Sequence, residues 1–169
     1  EQGIIKSSLQ ANVKQNLSFH PRPYQIKAIT RFHYYINDYQ NRPTPSHLFF
    51  HMATGSGKTL VMAANILQLY KKGYRKFVFV TNLKNTIDKT KENFLNNSLE
   101  NQKYLFADSI SINDQAIEIN EVDNFSRISE ADINIHFTSI QALQIKMQNH
   151  CAMNSIVSGQ IRPWSSVPI

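Results

Sequence analysis

Met52-Ala53-Thr54-Gly55-Ser56-Gly57-Lys58-Thr59 decides how the rest of this chain is read. Before it runs His47-Leu48-Phe49-Phe50-His51-Met52, short and nearly continuously apolar, which predicts a strand buried on both faces. After it, Leu60, Val61, Ala64, Ile66, Leu67 and Tyr70 gather on one side of a predicted helix ending at Lys72, with Gly73 as its stop. A small-residue loop between strand and helix is the setting of a phosphate-binding loop. Glycines let the backbone fold around an anion, and the N–H groups of Thr54, Gly55, Ser56 and Gly57 turn inward. The helix N-terminus adds partial positive charge. Lys58 supplies a full charge to the β- and γ-phosphates and is the candidate catalytic residue; the Thr59 hydroxyl is the candidate metal ligand. The plainer alternative is a glycine turn with an exposed lysine, but this spacing arises by chance in roughly one chain in a hundred of this length. A nucleoside triphosphate is the expected ligand.

Upstream, residues 1–20 show a weak helical period at Leu9, Val13 and Leu17. Pro21-Arg22-Pro23 then opens a helix in which Ala28, Ile29, Phe32 and Ile36 repeat at helical spacing to about Gln40. Asn41 to Ser46 is a breaker-rich loop. Downstream, Phe77 to Val80 predicts a second buried strand, Leu83 to Asn97 a polar helix, and Asp132 to Thr138 a strand. Ser139 to Met147 reads as a helix, with short strands expected near Tyr104-Leu105-Phe106 and Ile117-Glu118-Ile119. Strands alternating with helices predict an α/β fold with a parallel sheet flanked by helices.

The chain has 169 residues, room for about one domain. Its single cysteine, Cys151, excludes an internal disulfide and a four-cysteine zinc site and fits a reducing cytoplasm. No apolar run approaches the roughly 20 residues that span a bilayer, and no signal segment opens the chain, so no membrane partner is expected. The first residue is Glu1 rather than Met, as expected of a trimmed or internal piece. The net charge of +6 is uneven: residues 1–100 carry fourteen Lys or Arg against five acids, and residues 101–169 carry four against seven. A basic front half attracts polyanions, nucleotide or nucleic acid, although a solvated basic surface would look the same.

Met52 stands where the general phosphate-loop rule has glycine. Met-Ala-Thr-Gly-Ser-Gly-Lys-Thr-Leu instead resembles motif I of superfamily 2 helicases and translocases, in the branch containing restriction-enzyme motors. Arg22-Pro23-Tyr24-Gln25 is similar to that group's Arg-x-Tyr-Gln element, which assigns Arg22 and Gln25 to the nucleotide and Gln25 to the adenine edge. Phe77-Val78-Phe79-Val80-Thr81-Asn82-Leu83-Lys84 resembles motif Ia, where Thr81, Asn82 and Lys84 match donors to the nucleic-acid backbone. Thr138-Ser139-Ile140-Gln141 is similar to a later segment that carries Thr138 and Ser139 to the same surface. Thr81 or Asn82 capping a helix, and Ser139 as an N-cap, account for the same residues without nucleic acid. Together these segments resemble the restriction (Res) subunit of a type III restriction–modification system, with a type I motor subunit as the rival. The resemblance implies a partial RecA-like fold, ATP and Mg²⁺ as cofactors, duplex DNA as track and a methyltransferase or specificity subunit as partner.

One departure stands out. No acidic box occurs, and Glu130-Ala131-Asp132 precedes the wrong strand. The expected organisation is a lead-in over 1–20, the first part of motor domain one over 21–149 and a tail of unassigned role over 150–169. This stretch alone is then expected not to hydrolyse ATP, and Phe49 and Phe50 are expected to lack the strand that would cover them. A stand-alone nucleotide-binding module is the alternative from another class; a small-molecule kinase fits the Arg-Pro-Tyr-Gln element poorly.

Overall fold

The computed structural model describes residues 8–95 and 102–145. The predicted tail over 150–169 and the last two residues of the helix expected to end at Met147 lie outside them. Helices among the described residues include α1 (Ala11–Gln15), α2 (Pro23–Asn37), α3 (Lys58–Lys71) and α4 (Lys84–Phe94). Strands among the described residues are β1 (Lys76–Thr81), β2 (Ile110–Ile112), β3 (Gln115–Ile117), β4 (Ile119–Glu121) and β5 (Ile133–Ser139). The α/β fold has a parallel three-stranded sheet in the order β1-β5-β4 and a separate β2-β3 hairpin. This is a partial RecA-like arrangement.

Local chemistry explains the elements that position the loop. Pro23 opens α2 where a missing N–H has no intrahelical partner. At the far end of α3, Gly73 takes φ +98°, and the Tyr74 and Gly73 N–H groups donate to Leu69 and Tyr70 carbonyls, closing a Schellman cap. β1 lies along β5 with Phe77 opposite Ile135 and Phe79 opposite Phe137, so the odd-numbered apolar residues share one face. Ile133, Ile135 and Phe137 are buried there, and Phe94 of α4 meets Phe137 and Phe106 at ring distances of 6.5 and 5.6 Å. On the other face of β1, Val78 and Val80 are exposed, so this is not the buried strand that its apolar run predicts: the core lies against the Phe77 and Phe79 face alone.

Three further regions differ from the sequence expectation. Residues 47–52 form no ladder: no strand among the described residues lies beside them to receive their N–H and C=O groups, and Phe49 is 89% exposed. Phe50 is half-buried, 6.1 Å from the Phe32 ring. The mixed region holds a hairpin over 110–117, turning through Asn113 and Asp114 at φ 55° and 61°, and Ile117-Glu118-Ile119 is divided between β3 and β4. Tyr104-Leu105-Phe106 contributes a single bridge, Phe106 to Leu17. Residues 11–17 join the same core through Val13 and Leu17, and the buried Asn16 amide grips both the N–H and the C=O of Ser111.

Candidate functional site

Gly55 and Gly57 both sit in the left-handed region, at φ 76° and 75°, which is where a side chain would be strained. Between them Ser56 folds back, its N–H and hydroxyl both donating to the Ala53 carbonyl at 3.2 and 2.6 Å. Gly57 is the N-cap of α3, so the amides of Lys58 and Thr59 open the helix without an acceptor four residues earlier. The Lys58 ammonium lies across the loop, donating to the carbonyls of Met52 at 3.2 Å and Ala53 at 2.9 Å. Thr54 is exposed on the turn, and Thr59 is half-buried on the first helical turn. The loop therefore gathers two left-handed glycines, a helix N-terminus and one cation, the donor set that a polyphosphate takes.

The Arg-Pro-Tyr-Gln element is brought to this loop. Gln25 is 4% exposed; its amide nitrogen donates to the Ser56 carbonyl at 2.9 Å and the Gly57 carbonyl at 3.4 Å. Its amide oxygen accepts the Arg22 N–H at 2.7 Å, closing the first turn of α2. A Cβ added at Gly57 would stand 2.4 Å from the Gln25 nitrogen, so glycine is required there by space as well as by φ. Arg22 is exposed at the N-cap of α2. Beside the loop, Tyr24, Lys27 and Arg31 from α2 and His51, Met52 and Ser56 line a cavity of about 410 Å³. Sequence reading passed over Lys27 and Arg31, although the spacing 24, 27, 28, 31 after a known helix start marks one helical face.

The remaining candidates meet at the carboxyl end of the sheet. Register places Val80 opposite Thr138 and Thr81 opposite Ser139. α3 runs away from the loop and β1 returns, so this end and the loop lie on the same side of the molecule, where parallel α/β sheets bind ligands. Asn82 and Lys84 are exposed there and Thr81 is half-buried, its hydroxyl 3.4 Å from the Leu83 N–H. Thr138 is buried. The Ser139 hydroxyl accepts the Ala142 N–H at 3.1 Å and caps the helical turn over 140–145.

Carboxylates are placed elsewhere. The backbone carbonyls of Ala131 and Glu130 accept from the Tyr70 hydroxyl and the Arg75 guanidinium, so Glu130 and Asp132 lie by the carboxyl end of α3. That is roughly 20 Å from the loop by the rise of a 14-residue helix. Glu121 pairs with Lys91 of α4, and Asp132 accepts the Glu118 N–H. Among the described residues no cluster of three His, Cys, Asp or Glu could hold a metal. Two groups among the described residues have shifted titration, and neither belongs to the loop. Lys103 holds the Glu92 carboxyl below its ordinary value by hydrogen bond and charge, and burial raises the Tyr104 phenol.

A family model described as "Type III restriction enzyme, res subunit" matches residues 18–157. The chain belongs to that family. The Res-like segment is 49% identical over 106 residues to a protein of Haemophilus influenzae named "Probable type III restriction-modification enzyme HindVIP Res subunit". That match covers 63% of this chain and 20% of the relative, so the Res-like chain spans a small part of its length. No solved structure matches the chain. No helix among the described residues is long and apolar enough to cross a membrane.

Proposed function

We propose that residues 52–59 hold the triphosphate of ATP, and that the chain is the nucleotide-binding part of an ATP-dependent DNA translocase in a type III restriction endonuclease. The observation that carries this is the Lys58 ammonium lying across a loop shaped by two left-handed glycines. Phosphate oxygens would replace the Met52 and Ala53 carbonyls as its partners, with the amides of Gly55, Gly57, Lys58 and Thr59 around them. Bound Mg²⁺ would neutralise charge on the β- and γ-phosphate oxygens, with Thr59 as its ligand from this chain. Arg22 and Gln25 would serve the nucleotide, Gln25 turning from the loop to read adenine. Thr81, Asn82, Lys84, Thr138 and Ser139 would face the DNA backbone from the same end of the sheet. Residues 21–149 are then the first part of the motor domain, 1–20 its lead-in and 150–169 its tail. A methyltransferase subunit is the partner, and the cytoplasm is the site of action. The name of the Haemophilus relative supports a type III rather than a type I system.

Calorimetric titration with Mg-ATP tests the loop. Binding should be weak, and Lys58→Ala should weaken it at least tenfold, as expected for a charge-assisted contact to phosphate worth about 1.5–3 kcal/mol. Equal binding by both proteins removes the phosphate-loop reading.

A second reading, nucleotide binding without hydrolysis by this stretch, is favoured by the distance of Glu130 and Asp132 from Thr59. Phosphoryl transfer needs an acidic group at the metal and one to orient water. Phosphate release should therefore stay at background with or without duplex DNA. DNA-stimulated release that vanishes in Lys58→Ala would show that a carboxylate reaches the loop after all.

A further inference from the structure

The Ser56 carbonyl is gripped twice: the Tyr24 hydroxyl and the Gln25 amide nitrogen both donate to it at 2.9 Å. The two donors come from adjacent residues of α2, but they are not equivalent. The Gln25 side chain is buried with its amide nitrogen against the Ser56 and Gly57 carbonyls, at 2.9 and 3.4 Å, while its oxygen accepts the Arg22 N–H. An amide that pairs bidentately with adenine needs one N–H and one oxygen lone pair facing the base. With its nitrogen edge buried against the loop, the Gln25 amide must turn out as a unit to present an N–H and its oxygen to a base, and turning out releases the Ser56 carbonyl. Tyr24 has no such conflict, because its hydroxyl needs one acceptor and its ring is partly exposed in the wall of the cavity beside the loop.

We infer that Tyr24 is a positioning residue that keeps the Ser56 carbonyl, and with it the left-handed turn at Gly55 and Gly57, in place when Gln25 turns to the base. The inference rests on the reading of residues 52–59 as a nucleotide loop and of Gln25 as the residue that meets adenine. It goes further by making the loop's shape depend on Tyr24 only for ligands that carry a base. Mg-tripolyphosphate, which has no base, leaves Gln25 on the loop, and Tyr24 is then redundant.

The test is titration of the full chain with Mg-ATP and with Mg-tripolyphosphate. Tyr24→Phe keeps the ring and removes one hydrogen bond, so ATP should weaken about threefold to tenfold, while tripolyphosphate stays within about twofold of the parent. In a Gln25→Leu background, which fills the same buried volume without the amide, Tyr24 is the sole grip. Tyr24→Phe should there weaken tripolyphosphate by the same several-fold as ATP. Gln25→Met serves the same purpose if the leucine variant fails to fold. A general structural brace would lower both ligands equally in the parent background, and that result overturns the inference while leaving the nucleotide reading intact. So does a Tyr24→Phe protein indistinguishable from the parent with both ligands. A parent chain that binds neither ligand overturns the nucleotide reading and this inference together.

Discussion

Two apolar runs of this chain, 47–52 and 76–81, look alike as sequence and end differently. Each is six residues long and rich in Phe, Val, Leu or Met, and each leads into a turn that carries candidate ligand contacts. Residues 76–81 pair along their whole length with β5, from Lys76 opposite Asn134 to Thr81 opposite Ser139. Residues 47–52 pair with nothing among the described residues, and Phe49 points its ring at solvent. Both runs have the residue types that suit a pleated, half-buried surface. The difference is the neighbour, since strand preference is mostly the packing and pairing that a neighbour supplies. It follows that the loop over 52–59 is not anchored by a sheet among the described residues. Its hold comes from α2, through Tyr24 and Gln25 on Ser56, and from the loop's own Ser56 and Lys58 contacts.

The largest expected effect breaks the paired side. Ile135 is 1% exposed in the central strand, so Ile135→Ala should cost about 2–5 kcal/mol. Phe49→Ala removes a larger side chain yet should stay within about 0.5 kcal/mol, because its ring buries almost nothing. Urea unfolding with unchanged slope reads both. Comparable losses in the two variants would mean that residues 47–52 are a covered strand in solution.

An intermediate effect concerns association. Leu48, Phe49 and Phe50 line an open apolar groove with Phe32 and Tyr35 of α2. An unpaired, apolar extended segment is a template for other chains. Sedimentation velocity should show concentration-dependent self-association that Phe49→Ser reduces. If Phe49→Ser associates as strongly as the parent, the sticky edge is the free edge of β1 instead.

The same contrast explains what could be read in advance. The loop, α3 with its Gly73 stop, β1 and β5 are written in local chemistry, since glycine placement, helical period and strict alternation act within a few residues. The hairpin over 110–117 was also local: Ile110 and Ile112 alternate before Asn113-Asp114, two residues that tolerate positive φ, and that signal was missed. Other features depend on residues far apart in sequence. The unpaired state of 47–52 and the pairing of β4 with β5 are of this kind. So is the burial of Gln25 under Ser56 and Gly57, thirty-one and thirty-two positions away. The motif names Gln25; only the assembled backbone shows that its amide is occupied by the loop over 52–59.

The smallest effect tests β1 against itself. Phe77 and Phe79 face the core, whereas Val78, between them, is 50% exposed on the opposite face. Val78→Thr keeps a β-branched side chain of nearly the same shape, so strand preference is unchanged. Its hydroxyl stays in water and carries no desolvation cost, and stability should move by no more than about 0.5 kcal/mol. In a buried position the same exchange would strand a hydroxyl and cost about 1–3 kcal/mol. The comparison with residues 47–52 turns on this number. A near-neutral Val78→Thr means that one ladder and one covered face suffice to hold an apolar run as a strand. A loss above about 1 kcal/mol, read by the same urea unfolding at low and high protein concentration, would mean that the outer face of β1 is packed in solution. If that loss appears only at high concentration, a second copy is what packs there, and β1 and residues 47–52 then share one problem rather than differing in it.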